Sequence, residues 1–458
     1  MIEASLFIGL FLIIPTIWMG LLRLSGIRLL TISIPGGLLA SMLLYQYLGF
    51  PTLFFYLDDY RSQFIQDRAI IWKMFFWNCY TITMILTGYI TARKIMGPQH
   101  LSYQFNPFHK SFSSGSMREL LILTALAGVS ISVLVFYVAK IGINNLAILT
   151  ALGFLDHDTS SKVLRSAMGN AFEGKYHWYR LFMRDFLSVA SCGLFANWLF
   201  CRKRISFFIF FVSFVVASFS MLMAIEKGPF FSYLISLSII YIIVFKSGRL
   251  SAKMIAALAT LGMVIIGLIY LYFMGSPTIW AGIQSGFSRI TTGQMIGLYH
   301  YLEIFPQQVN YLYGSSFPNP GKIFSWEPYR LTVEVMNLVH PELESRGIVG
   351  SMPTFFWGEM YANFGYLGII IPPFFVGYVV YAINILIFRL PLSPLTLAIF
   401  VWALLHIMDL SGTGLSGYIM DLTGLIMASL TLVALGLKGR GVIKLRKKRV
   451  IAGVARSA

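Results

Sequence analysis

Residues 202–229 read RKRISFFIFFVSFVVASFSMLMAIEKGP. From Ile205 to Ile225 there is no charge at all. A bilayer's hydrocarbon core is about 30 Å thick and is crossed by about 20 helical residues. Lipid offers no partner for a backbone N–H or C=O, so a run this long and this uniform spans as a helix. Comparable runs lie at 4–22, 29–49, 70–92, 119–139, 182–201, 228–246, 254–274, 366–388, 393–410 and 417–436. With 205–225 they predict an all-α, polytopic transmembrane helix bundle of about eleven spans. Alternating ten-residue segments, which would mark a membrane β-barrel, are not what these runs look like.

Composition points the same way. Of 458 residues, 57% are hydrophobic and 12% charged, against about 25% charged in a soluble domain. The mean hydropathy is +0.75. The first run lacks a basic leader and continues directly into Arg23 and Arg28, which predicts a retained span rather than a cleaved signal. Cys79, Cys192 and Cys201 fall inside predicted spans without metal or redox spacing, and read as small apolar residues.

A formal net charge of +17 would suit a nucleic-acid partner, but the charges sit in short loops beside apolar spans, which argues against one. Placing the loops that follow odd-numbered spans on one face gives that face 21 of the 35 Lys and Arg, with Glu119 as its only acid. Such a split predicts a cytoplasmic basic tail at 437–458 and an N-terminus outside. It also puts two long polar segments outside, a first loop at 141–181 and a large one at 275–365, both parts of a single integral membrane domain. No internal repeat and no paired broken helices are visible, which weakens a transporter reading.

The large segment holds most of the polar equipment. It reads FSRITTGQMIGLYHYLEIFP from Phe287, YLYGSSFPNPGKIFSWEPYR from Tyr311 and ESRGIVGSMPTFFWGEMYANFGYLG from Glu344. Its cations are Arg289, Lys322, Arg330 and Arg346; the first loop adds Lys162, Arg165, Lys175 and Arg180, and the EKGP turn adds Lys227. Guanidinium forks suit phosphate oxygens, so several of these together could hold a diphosphate; singly, each also reads as a solvated loop residue. Arg289 and Lys227 stand out because each lies close to an apolar span.

Glu359, beside Trp357 and Tyr361, reads either as a desolvated general base or as an acid complementing a helix N-terminus. His300 follows Arg289 by eleven positions and would share its face if the segment were one helix; it reads as a base or as a structural histidine. His340, His157 and His177 are further candidates. Trp280, Tyr299, Trp326, Tyr329 and Trp357 could stack on sugars or belong to an interfacial belt. No nucleotide loop and no metal-ligand spacing is present, so neither metal nor cofactor is expected; Asp58, Asp59, Asp156 and Asp158 read as loop acids.

The span pattern, the EKGP turn, the arginine of SRITTGQ and the closing GEMYANFGYLG together resemble the Wzy-type oligosaccharide repeat-unit polymerases of O-antigen and related surface polysaccharides. The resemblance implies a GT-C-like membrane glycosyltransferase of the bacterial inner membrane, working on the periplasmic face. Its donor and acceptor would be undecaprenyl-diphosphate-linked oligosaccharides, joined in a metal-independent inverting displacement, with a separate co-polymerase regulating chain length. Carried onto this sequence, Arg289 corresponds to the family's loop arginine, Lys227 to the basic residue of its turn, and Glu359, Tyr361, Asn363 and Gly365 to its closing motif. The substrate-binding residues expected are Lys227, Arg289, Arg165, Arg330, Arg346 and Tyr361, and His300 or Glu359 would accept the hydroxyl proton. An O-antigen ligase-like transferase and a lipid-linked oligosaccharide flippase are the rival readings.

Overall fold

The computed structural model describes residues 2–97, 117–154, 164–165, 167–168, 172, 176–225, 227–319, 322–345, 350–390, 393–419, 421 and 423–432. The basic tail, His157, Asp156, Asp158, Lys162, Lys175, Glu226 and Arg346 lie outside these residues.

Helices dominate. In chain order they are α1 (Ile2–Ser25), α2 (Ile34–Phe54), α3 (Arg68–Met96), α4 (Met117–Ile141), α5 (Leu187–Cys201), α6 (Arg204–Leu222), α7 (Lys227–Lys246), α8 (Ala252–Met274), α9 (Ile279–Thr291), α10 (Gly293–Ile304), α11 (Leu331–Val339), α12 (Phe356–Phe364), α13 (Tyr366–Phe388) and α14 (Pro394–Met408). Among the described residues nine helices are long and apolar enough to cross a membrane: α1–α4, α6–α8, α13 and α14. The chain is a multi-pass helical membrane protein. The two other expected spans are helical but shorter. At 182–201, α5 follows a π-helical turn, Leu181–Phe186, that contains Arg184 and Asp185. Near the end, the described residues Thr423–Leu432 form an apolar helix.

The chain clusters into two compact units. One comprises Met1–His100, Leu250–Ile385 and His406–Asp421; the other comprises Leu101–Arg249, Leu386–Leu405 and Leu422–Ala458. In the first, α1 packs on α3 through Phe7, whose ring lies 5.3 Å from that of Phe75 and stacks on Phe54 of α2 at 4.0 Å. Further along, α3 and α13 touch backbone to backbone: a Cβ on Gly88 would run into the carbonyl of Phe374, and one on Gly377 into that of Ile85. Small residues at such crossings let membrane helices pack where no hydrophobic drive exists.

Within the second unit, Ser191 of α5 lies 3.0 Å from Ser213 of α6 and 2.6 Å from the Tyr233 hydroxyl of α7, a buried link between three helices. Tyr137 anchors a separate core: it stacks on Phe172 at 4.9 Å and its hydroxyl donates to the Met168 carbonyl at 3.1 Å.

The decisive local feature is a tight helical hairpin. Helix α8 ends on Gly275 at φ +71°, whose N–H bonds back to the Tyr270 carbonyl. Two residues later Thr278 caps α9, accepting from the Ala281 N–H at 3.1 Å. Helix α9 then returns along α8, with Gly282 against the Gly267 carbonyl and Gly286 against Ile266. Ile266 lies eight residues before the end of α8, about 12 Å at 1.5 Å per residue. From the end of α9 the chain turns at Thr292 and climbs back as α10, so that the Tyr299 hydroxyl accepts from Gln66 and Asp67 N–H groups at the start of α3. The two helices meet as a V whose foot, Thr291–Gly293, lies against Gly49 of α2 and the loop that follows it.

Candidate functional site

The foot of the V is tied to the loop between α2 and α3. Asp58 accepts from the Ser288 hydroxyl at 2.5 Å and the Thr292 hydroxyl at 2.7 Å through one oxygen, and from the Arg61 N–H at 3.3 Å through the other. A Cβ on Gly49 would clash with the Thr291 carbonyl and Met295, so α2 approaches the foot closely. Arg289 leaves the last turn of α9, exposed, and its Cγ passes 3.6 Å from where a Gly293 Cβ would stand; the Arg61 guanidinium passes 3.5 Å from the same point. No described carboxylate forms an ion pair with either arginine. Arg61 also lies over the Tyr60 ring, 5.0 Å from its centre.

His300 sits two turns above the foot on α10. Because the chain breaks at Thr292, Arg289 and His300 do not share one helical face, and the expectation from a continuous 100° progression fails. What joins them is the V. The imidazole is buried, 5% exposed, with Nδ1 2.9 Å from Glu303 Oε2 and a buried Nε2 that meets no partner. Burial pushes its pKa below the ordinary histidine value, while Glu303 pulls weakly the other way and the nearby His340 adds to the lowering. Phe64 lies edge-on to both rings, and His340 has its own acid, Glu342, at 3.2 Å.

Glu359, 7% exposed in α12, is held by a turn 57 residues further along. Its Oε2 accepts from the Ser416 N–H at 2.9 Å and its Oε1 from the Ser416 hydroxyl at 2.5 Å, with Gly414 so close that a Cβ would meet the carboxylate. Desolvation raises its pKa, and the Ser416 bonds partly offset that. One turn on, Asn363 organises residues 312–316: its Oδ1 accepts from the Gly314 N–H at 3.0 Å, and the Leu312 and Tyr313 N–H groups bond to the carbonyls of Ala362 and Asn363. Tyr361 is buried and donates to the Phe305 carbonyl at 3.1 Å. In this arrangement Glu359, Tyr361 and Asn363 fasten α12 to its surroundings.

The other candidates belong to other elements. Arg330 is exposed, its carbonyl starting α11. Lys322 reaches Glu327 at 3.7 Å on the surface. Lys227 opens α7, and it, Arg165, Arg180 and His177 belong to the second compact unit, whereas Arg289 and His300 belong to the first. Of the aromatic candidates, Tyr299 and Trp357 are buried in packing, while Trp280 and Trp326 are exposed.

Sequence reading passed over Arg61, Glu303 and Ser416, and took Asp58 for a loop acid. The argument that singled out Lys227, a charge in a short loop next to an apolar span, applies equally to Arg61; nothing local marks Ser416 as a partner of Glu359. Compared with family models, curated proteins and solved structures, the chain finds no match.

Proposed function

We propose that this protein is a membrane glycosyltransferase of the polysaccharide-polymerase kind, moving an oligosaccharide from a lipid diphosphate carrier onto the next lipid-linked unit at the outer membrane face. The observation that carries the reading is the V. It brings Arg289 and Arg61 to a polar foot tied by Asp58, and sets a buried histidine–glutamate pair on the helix that follows.

The chemistry follows from charge. When an acceptor hydroxyl attacks the anomeric carbon, negative charge grows on the departing diphosphate and is stabilised by fixed donors already in place. Arg289 supplies such a donor. His300, kept neutral by burial and oriented through Nδ1 by Glu303, is the base this reading assigns to the hydroxyl proton. Glu359 serves as the strut of α12.

Purified protein in liposomes with a lipid-linked repeat unit tests this directly. The expected product is a ladder of longer chains, lost in Arg289→Gln. Transfer to a different acceptor without a ladder would favour a ligase, and translocation without any new glycosidic bond would favour a flippase.

A further inference from the structure

We infer that Arg61, in the loop between α2 and α3, is the second arm of an anion seat at the foot of the V, and that the seat takes the phosphate of a membrane-borne amphiphile. The inference deepens the proposed function, on which the identity of that amphiphile rests. The seat itself rests on geometry.

Three observations converge. First, Arg61 and Arg289 arrive from separate parts of the chain and flank the same bare side of Gly293, where the absent side chain leaves room. Second, Arg61 Nε is buried and donates to nothing among the described residues, although buried donors are almost always satisfied. A phosphate oxygen would satisfy it, and a guanidinium presents further donors in the same plane. Third, Asp58 forms no ion pair with either arginine among the described residues, and its oxygens accept from Ser288, Thr292 and the Arg61 N–H. It fixes the loop that carries Arg61 to the helix that carries Arg289, and leaves the three groups with a net positive charge.

The foot lies against α2, one of the helices long and apolar enough to cross a membrane. A phosphate tethered to a hydrocarbon chain is the anion that the proposed function brings to such a helix.

The test uses full-length protein in nanodiscs and three probes: farnesyl diphosphate, inorganic diphosphate, and phosphatidylglycerol supplied in the disc. Farnesyl diphosphate is expected to bind, with affinity falling at least tenfold in Arg61→Gln and in Arg289→Gln while melting stays unchanged. Arg61→Lys, which keeps the charge without the fork, is expected to fall between; should Arg61→Gln fail to fold, this variant decides, and wild-type affinity in it overturns the seat. Wild-type affinity in a folded Arg61→Gln also overturns it. Inorganic diphosphate competing as well as the prenyl form, or phosphatidylglycerol abolishing the binding, overturns the tethered-diphosphate assignment. The outcomes separate from those of chain extension: binding that needs Arg61 without extension by the wild type sinks the polymerase reading alone, and extension indifferent to Arg61 together with unchanged binding sinks the seat alone.

Discussion

Glu359 shows how one side chain can be read in two ways and then separated by experiment. Both carboxylate oxygens are taken by Ser416. Glutamine can keep both bonds, accepting from the Ser416 N–H and donating to its hydroxyl, whereas alanine leaves those groups buried and unpaired at roughly 1–3 kcal/mol each. Glu359→Gln is therefore expected to melt within a few degrees of wild type and to retain chain extension, and Glu359→Ala to be clearly destabilised. A folded Glu359→Gln without extension would make Glu359 the base. His300 carries a pH prediction. Its pKa in the fold lies below the unfolded value of about 6.5, so between the two values the unfolded chain binds more protons. Its contribution to stability is full above about pH 6.5 and is lost as pH falls through the folded value. Melting temperature measured from pH 7 to 5 should drop less steeply in His300→Gln; an unchanged slope would assign the acid sensitivity elsewhere, Glu303 and His340 being the neighbours to examine.

At the scale of elements, glycines set the distances. Gly365 follows α12 at φ +58°, ψ −140°, a conformation almost closed to other residues, with the Tyr311 ring 2.9 Å from where a Cβ would lie. Gly365→Ala is expected to cost about 1–3 kcal/mol, read as a fall in melting temperature of the purified protein. Gly286→Leu would drive α9 away from Ile266, an overpacking worth about 1–3 kcal/mol, and should lower farnesyl diphosphate binding by moving Arg289. In α7, Tyr233→Phe removes one interhelical hydrogen bond and should cost only about 0.6 kcal/mol; a much larger loss would mean that the Ser191 link dominates its unit. These elements also show what sequence could reveal. The spans were legible because lipid leaves the backbone one solution, and for seven of them, α7 and α13 included, both expected edges fall within three residues of the observed helix. Helix α9 was not legible as a returning helix, since thirteen residues with an arginine and a threonine look like loop until Gly282 is seen against Gly267 and Gly286 against Ile266. The pairing of Glu359 with Ser416 was hidden for the same reason: contact between distant residues leaves no mark on either neighbourhood.

For the whole molecule, the account depends on which side the V opens. The proposed topology, drawn from the positive residues beside the spans, has the start of α8 in the cytosol and the segment from α9 to α12 on the far side. The most direct measurement labels single cysteines in intact cells with a membrane-impermeant maleimide, in a background where Cys201, the partly exposed native thiol, is serine. Ile323→Cys, at a position 76% exposed within that segment, and Lys253→Cys, at the start of α8, are the two reporters. The account predicts that Ile323→Cys labels in intact cells and Lys253→Cys only after permeabilisation. The reverse pattern would contradict it, placing the foot of the V and its arginines on the cytosolic side.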